Sequence, residues 1–275
     1  MADTLRIKSN LHTHTRFCDG KHTAEEVVLA AIDAQMDLLG FSEHSYTGIE
    51  GVFGMKREQV PLYRAEIERL QGVYGDRIPI LLGIEQDYHA GAPDGAYDYV
   101  IGSVHYVHLD GEYCSVDYSA ERTLKTVNEH CGGDIYRYAK EYYDCVARVA
   151  DATKCGIVGH FDLLNKFNES SPMLDESDPR YVGYALEALD ALLEKDVVFE
   201  VNTGAISRGY RKTPYPAPFI LKRIVEKKGS VMLNADAHHK DHLLCAFDDA
   251  LERLRACGIR TVMTMTPNGW KEQAI

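Results

Sequence analysis

In the stretch SNLHTHTRFCDG, His12 and His14 lie two residues apart at the end of an apolar run, and Asp19 follows in a glycine-containing turn. Residues i and i+2 of an extended chain share a face, so the two imidazoles converge on one point. Imidazoles joined by a nearby carboxylate form a donor set for a transition metal, and such an ion serves hydrolysis by activating water. Taken alone, the same pair also describes two solvated rings at a strand end. The rest of the chain decides between these readings. His44 in FSEHS, Glu85 in GIEQD, His105 in GSVH, His160 in GHFD, and Asp236 with His238 in NADAH repeat the pattern of a metal-binding group at the close of an apolar run.

Each of these residues has an ordinary explanation by itself: a loop histidine, a structural salt bridge, a buried ring bonded to backbone. Together they are six of the chain's twelve histidines and three carboxylates at equivalent places. Gathering them without cations raises the carboxylate pKa values and lowers those of the imidazoles, and buried charge is costly unless paired or metal-bound. A metal cluster removes that conflict. The other histidines, His22, His89, His108, His130, His239 and His242, fall in inferred loops or helix starts and are read mostly as solvated. Cys18 is read as a small buried hydrophobe rather than a ligand.

The elements that must position these groups are legible as short apolar runs: LRIKSNL, LLGFSEH, IPILLGIEQD, DYVIGSVHYV, GIVGHFD, VVFEVNTG, SVMLNADAH and IRTVMTM. Several are apolar on both faces, as strands of a buried parallel sheet are. Helical patterns separate them. Thr23 with Glu26 predicts a capping box opening a helix to about Gln35; residues 134–156 read as a helix stopped by a glycine; TPYPAPFILKRIVEKKG has prolines at its start and glycine at its end. Alternation of strand and helix favours βαβ units, and an α/β barrel would bring the strand ends to one mouth. Residues 88–97, 106–133 and 165–180 read as irregular, either functional loops or partly disordered.

Composition excludes several classes. The 275 residues, 45% hydrophobic, suffice for one barrel, and no linker or repeat divides them, so residues 1–275 are expected to form a single domain. A formal net charge of −12 argues against a nucleic-acid surface. The N-terminus carries no signal-like segment and no apolar run approaches a membrane span, which gives the expectation of a cytoplasmic protein. Seven scattered cysteines without a Cys-x-x-Cys pair are expected to be reduced.

The ordered set HTHTRFCDG, FSEHS, GIE, GSVH, GHFD and NADAH resembles the PHP (polymerase and histidinol phosphatase) superfamily, in particular its monofunctional histidinol-phosphate phosphatases, over nearly the whole chain. The resemblance implies a distorted (β/α)7 TIM-like barrel with a metal site at the C-terminal ends of the strands. One of the eight strand candidates, IRTVMTM first, then either needs revision or lies outside the regular barrel. By resemblance His12, His14 and Asp236 hold one ion, Glu85 bridges to a second that also takes His105 and His160, and Asp19, His44 and His238 hold a third. Some family members carry His at the Asp19 position, so Asp changes the charge there. Two to three divalent ions are implied; imidazole and carboxylate donors without thiolate suit Zn, Mn or Fe.

The implied reaction is hydrolysis of L-histidinol phosphate by a metal-bridging hydroxide, with Asp19, His44, Glu85 and Asp236 as catalytic ligands. VNTGAISRGYRKTPYP offers Arg208, Arg211 and Lys212 after a strand end, Arg presenting a planar fork to phosphate oxygens; in the resembling phosphatases an Arg after NT contacts phosphate, which makes Arg208 the first candidate and Arg211 the second. Asp117 is a candidate partner for the substrate's amine, and Asp162 or a metal-bound water for the leaving-group acid. No nucleic acid or membrane partner is expected; the oligomeric state is left open. Amidohydrolases also begin with His-x-His, but many use a strand-four lysine, where this chain has His105. A phosphoesterase acting on another small ester or nucleotide, and a non-catalytic assembly module, are the remaining alternatives.

Overall fold

The computed structural model describes residues 7–49 and 53–275; Leu5 and Arg6 of the first strand candidate lie outside these. The strands in chain order are β1 (Ser9–Asn10), β2 (Leu38–Phe41), β3 (Ile80–Asp87), β4 (Tyr99–Ser103), β5 (Tyr106–Leu109), β6 (Glu112–Ser115), β7 (Ile157–Val158), β8 (Val198–Asn202), β9 (Ser230–Asn234), β10 (Thr261–Thr266) and β11 (Gly269–Ala274). Seven form one parallel sheet in the order β1-β2-β3-β4-β7-β8-β9.

The sheet curls into a nearly closed barrel, and asparagines finish the seam. Leu11 N donates to Asn234 Oδ1 and Ala235 N to Asn10 Oδ1, each at 2.9 Å. Just beyond, His14 N donates to Ala237 O at 2.9 Å and Ala237 N to His12 O at 3.0 Å. Side-chain amides thus do the work of a backbone ladder where β1 is only two residues long.

Period-two alternation divides the apolar residues between two cores. Leu39, Phe41, Leu82, Ile84, Phe199, Val201, Val231 and Leu233 face the helical layer. Leu38, Tyr99, Ile101, Ile157, Val198 and Met232 fill the barrel's lower interior. Tyr99 lies across Gly40 and Gly83, where any Cβ would overlap its ring, and its hydroxyl donates to Leu11 O and Phe41 O. Farther along the same inward faces come Glu85, Glu200, Asn202, Asn234 and Asp236, so the interior changes from apolar plug to polar crown.

The eighth candidate, IRTVMTM, is outside the barrel. It forms β10, antiparallel to β11, and Met263 and Met265 pack against the lower interior core. The capping box is present: Thr23 Oγ1 accepts from Glu26 N and Glu26 Oε2 from Thr23 N, opening helix Ala24–Asp33. Residues 134–156 form two helices, Ile135–Val146 and Val149–Thr153, rather than one; the break falls at Arg148, whose ψ of 0° departs from helix. Residues 106–133 are not irregular. They hold the β5–β6 hairpin and helix Ala120–His130, whose short strands and Ser119 cap the reading passed over. No helix of the described residues is long and apolar enough to cross a membrane.

Candidate metal centre

The polar crown centres on Glu85, whose two oxygens face opposite ways. Oε1 lies 2.9 Å from His160 Nε2 and 3.3 Å from His105 Nε2. Oε2 lies 2.7 Å from His44 Nδ1, 3.2 Å from His12 Nε2 and 3.5 Å from His14 Nε2. One carboxylate therefore sits between two sets of imidazoles, the disposition of a bridging ligand. The two sets draw on four strand ends: His12 and His14 after β1, His44 after β2, His105 after β4 and His160 after β7.

Asp236 and His238, after β9, complete the ring. Asp236 Oδ1 is 3.2 Å from His14 Nε2 and 3.7 Å from His12 Nε2, and donor atoms of these three residues can share one ion. Asp19 Oδ1 is 3.2 Å from His238 Nε2 and 3.7 Å from His44 Nε2, and with His14 these form a second compact donor group. Asp236 is held at φ +45°, and a Cβ on Gly204 would approach its Oδ2 to 2.7 Å, so the carboxylate position depends on glycine there. Gly20 serves likewise for Asp19, because a Cβ would meet the His14 carbonyl.

His12 Nε2, His14 Nε2 and Glu85 Oε2 are buried without a hydrogen-bond partner in acceptable geometry. Orphaned donor atoms aimed at a common space, of nitrogen and oxygen type only, fit divalent cations. The site is built for divalent metal. Apart from His14, its electrostatics run opposite to the sequence expectation of raised carboxylates and lowered imidazoles, because carboxylates and imidazoles alternate around the crown and hold each other charged. Burial works against a charged His12, yet the Glu200, Glu85 and Asp236 carboxylates raise its pKa. Burial, with His238 and His44, pushes His14 down to about 3, leaving a neutral ring with a free lone pair. Burial would push the Glu85 carboxyl up, but His44, His12 and His105 hold it well below the carboxylate range. Asp236 is held low against burial by Arg208 and His12.

Four supporting groups escaped the sequence reading. Glu200 Oε1 accepts from His12 Nδ1 at 2.6 Å, and its Oε2 from His160 N at 2.8 Å. Asp87 Oδ2 stands 3.2 Å from His105 Nδ1. These carboxylates fix which ring nitrogen carries the proton. The signal for Glu200 was an acid within the apolar run VVFEVN; for Asp87 it was the i+2 spacing from Glu85. Glu43, fully buried, binds the loop that follows His14. Lys166 Nζ donates to Asp117 Oδ2 at 3.0 Å and to its carbonyl at 2.9 Å.

The arginines separate. Arg208, a quarter exposed, donates from Nη2 to Asp236 Oδ2 at 2.9 Å, with Nη1 3.3 Å from His238. Arg211 is buried and donates to Asn165 O, Thr213 O and Thr213 Oγ1. Asp117 is buried, its Oδ1 accepting from Ser115. Asp162 accepts from Ala217 N at 3.0 Å; burial raises its pKa to about 6 although Arg211 opposes this. Among the six other histidines only His108 is exposed, whereas the reading took most as solvated. All seven cysteines are free.

Residues 10–204 match the PHP domain family. A "Probable histidinol-phosphatase" of Deinococcus radiodurans is 33% identical over 265 residues, covering 91% of this chain and 94% of the relative. The "Histidinol-phosphatase" of Lactococcus lactis is 26% identical over 71% of each chain. The crystal structure of histidinol phosphate phosphatase from Lactococcus lactis, complexed with zinc, L-histidinol and phosphate, superposes with a TM-score of 0.72 at 21% identity, covering 96% of this chain and 99% of that one. Seven parallel strands, a carboxylate set between imidazoles from successive strand ends, and these likenesses agree: the chain belongs to the PHP family, of the histidinol-phosphatase type.

Proposed function

We propose that the protein is a metal-dependent phosphomonoesterase that hydrolyses L-histidinol phosphate to L-histidinol and phosphate, a step of histidine biosynthesis, in the cytoplasm. The observation that carries this reading is Arg208 beside Asp236 and His238: a guanidinium fork standing where a phosphate reaching the ligand crown would arrive. Relatives named for histidinol phosphate over nine-tenths of this chain support the substrate.

As metal ligands we assign His12, His14 and Asp236 to one ion, Glu85, His105 and His160 to a second with Glu85 bridging, and Asp19, His44 and His238 to a third. Two to three ions are expected, Zn first, since the Lactococcus lactis protein was solved with it, with Mn and Fe also suited to these donors. Bound ions supply Lewis acidity, making water nucleophilic near neutral pH and offsetting charge on the phosphoryl oxygens.

The chain's own groups do the rest. Phosphorus gains an oxygen from water and loses the alkoxide; water gives up a proton and the alkoxide takes one. Glu200 holds the His12 proton on Nδ1, so Nε2 keeps its lone pair for a ligand. Arg208 orients the phosphate; Arg211 supports the loop through Asn165 and Thr213. Asp117 keeps unused lone pairs after bonding Ser115 and Lys166, and we assign it to the substrate ammonium. Residues 1–275 are taken as one domain.

The test is phosphate release from a panel of phosphomonoesters by the metal-loaded protein. Histidinol phosphate is expected to give the highest kcat/KM; a clear preference for a nucleotide or another small ester would reassign the substrate while leaving the chemistry.

A further inference from the structure

Glu43 immediately precedes the proposed ligand His44, and its side chain is fully buried. It points back into the loop between two other proposed ligands, His14 and Asp19. Its Oε1 accepts from Thr15 Oγ1 at 2.6 Å; its Oε2 accepts from Thr15 N at 3.1 Å and from the Cys18 thiol at 2.7 Å. All three donors therefore lie between His14 and Asp19.

Thr15 in turn is the hub of that loop. Its carbonyl accepts from Cys18 N at 3.1 Å and Gly20 N at 2.9 Å, which brackets Asp19. Cys18 Sγ stands 3.5 Å from His14 Nδ1 and 3.4 Å from Asp19 Oδ1, so the thiol that Glu43 anchors touches both ligands. On its backbone side Glu43 O accepts from Glu85 N at 3.1 Å. One residue thus ties the first loop to β3 and to the start of the His44 segment.

We infer that Glu43 is a positioning residue for the ion assigned to Asp19, His44 and His238, setting the distance between the first loop and His44 through Thr15 and Cys18. The inference rests on the ligand assignment above. Its physical content is geometric: a side chain with two polar heads, at least one of them an acceptor, must sit between Thr15 N, Thr15 Oγ1 and Cys18 Sγ. Glutamine can meet that demand, with its carbonyl oxygen toward Thr15 N and Cys18 and its amide toward a rotated Thr15 hydroxyl. Leucine, of similar size, cannot: it leaves Thr15 N and Oγ1 without that acceptor and the Cys18 thiol with Asp19 Oδ1 at 3.4 Å in its place.

The test is zinc titrated back into the full chain after chelation, with affinities read by calorimetry and bound zinc by elemental analysis. Glu43→Leu is expected to bind one zinc about 10- to 100-fold more weakly and the others as the wild type does. Glu43→Gln is expected to restore that affinity. Thr15→Val is expected to weaken the same zinc and Thr15→Ser to restore it, a milder pair should the leucine variant fail to fold. Wild-type affinity for every zinc in Glu43→Leu, or in Thr15→Val where leucine prevents folding, overturns the inference. So does equal weakening of all ions, which marks a merely structural role, or a glutamine variant as weak as leucine. None of these readouts uses the substrate, so a wrong substrate assignment leaves them intact.

Discussion

Glu200 Oε1 stands 2.6 Å from His12 Nδ1, both side chains fully buried at the centre of the barrel. The pair is supported: Asn202 and Asn234 donate to the same carboxylate at 2.8 and 2.9 Å, so Glu200 is held before it holds the histidine. A carboxylate at Nδ1 raises the basicity of the ring and fixes its orientation. Glu200→Leu is accordingly expected to weaken metal binding at His12 by about 10- to 100-fold. Competition against a chelator of known affinity measures this; unchanged retention would remove Glu200 from the metal centre.

Glu85 and Asp236 make different predictions because only one of them reaches both sets of imidazoles. Asp236→Ala is expected to lose activity together with one metal equivalent. Glu85→Ala is expected to lose more than one, since its oxygens face His105 and His160 on one side and His12, His14 and His44 on the other. Metal-to-protein ratios by elemental analysis, paired with phosphate release, check both. Full activity in Asp236→Ala contradicts the proposed mechanism.

What the sequence made legible was whatever a strict period carries. Strand ends with His, Asp or Glu recur at the close of apolar runs, and β3 and β9 keep one face inward long enough for Leu81 and Met232 to give way to Glu85 and Asp236; β8 makes the same step from Val198 to Glu200, which went unread. What stayed hidden depends on contacts far apart in the chain. Lys166 and Asp117 are separated by 49 positions, and nothing local marks either as the other's partner. Arg208 and Arg211 share a loop and a charge; only the fold turns one to Asp236 and the other to Asn165. IRTVMTM has a strand's composition, and its exclusion from the barrel follows from a hairpin with residues 269–274, whose Lys271, Glu272 and Gln273 break the apolar pattern of a barrel strand.

Arg208→Ala is expected mainly to raise KM, with kcat/KM falling about 10- to 100-fold, the scale of a lost charge-assisted hydrogen bond of about 1.5–3 kcal/mol. Arg208→Lys keeps the charge but loses the fork, so it is expected to recover little. Because Nη2 also donates to Asp236 Oδ2, part of the effect would be a less fixed Asp236, visible as weaker metal retention. Steady-state kinetics at saturating metal separates the two: a drop confined to kcat with KM unchanged would argue against phosphate contact.

The Asp117–Lys166 pair gives a stability prediction whose sign can be worked out. Burial alone would raise the Asp117 carboxyl, but Lys166, followed by His105, brings it from 3.8 down to about 2. A carboxyl whose folded pKa is depressed stabilises the fold above its unfolded pKa and loses that contribution as pH falls through the folded one. The window is therefore about pH 4 down to pH 2, and the contribution at stake is about 2 kcal/mol. Asp117→Asn lacks this titration, so the stability gap between wild type and variant is expected to narrow by that amount across the window. Urea denaturation of both proteins at several pH values measures the gap directly, the other carboxylates cancelling between them. A gap that stays constant from pH 4 to pH 2 would show that Asp117 is not held ionised by Lys166.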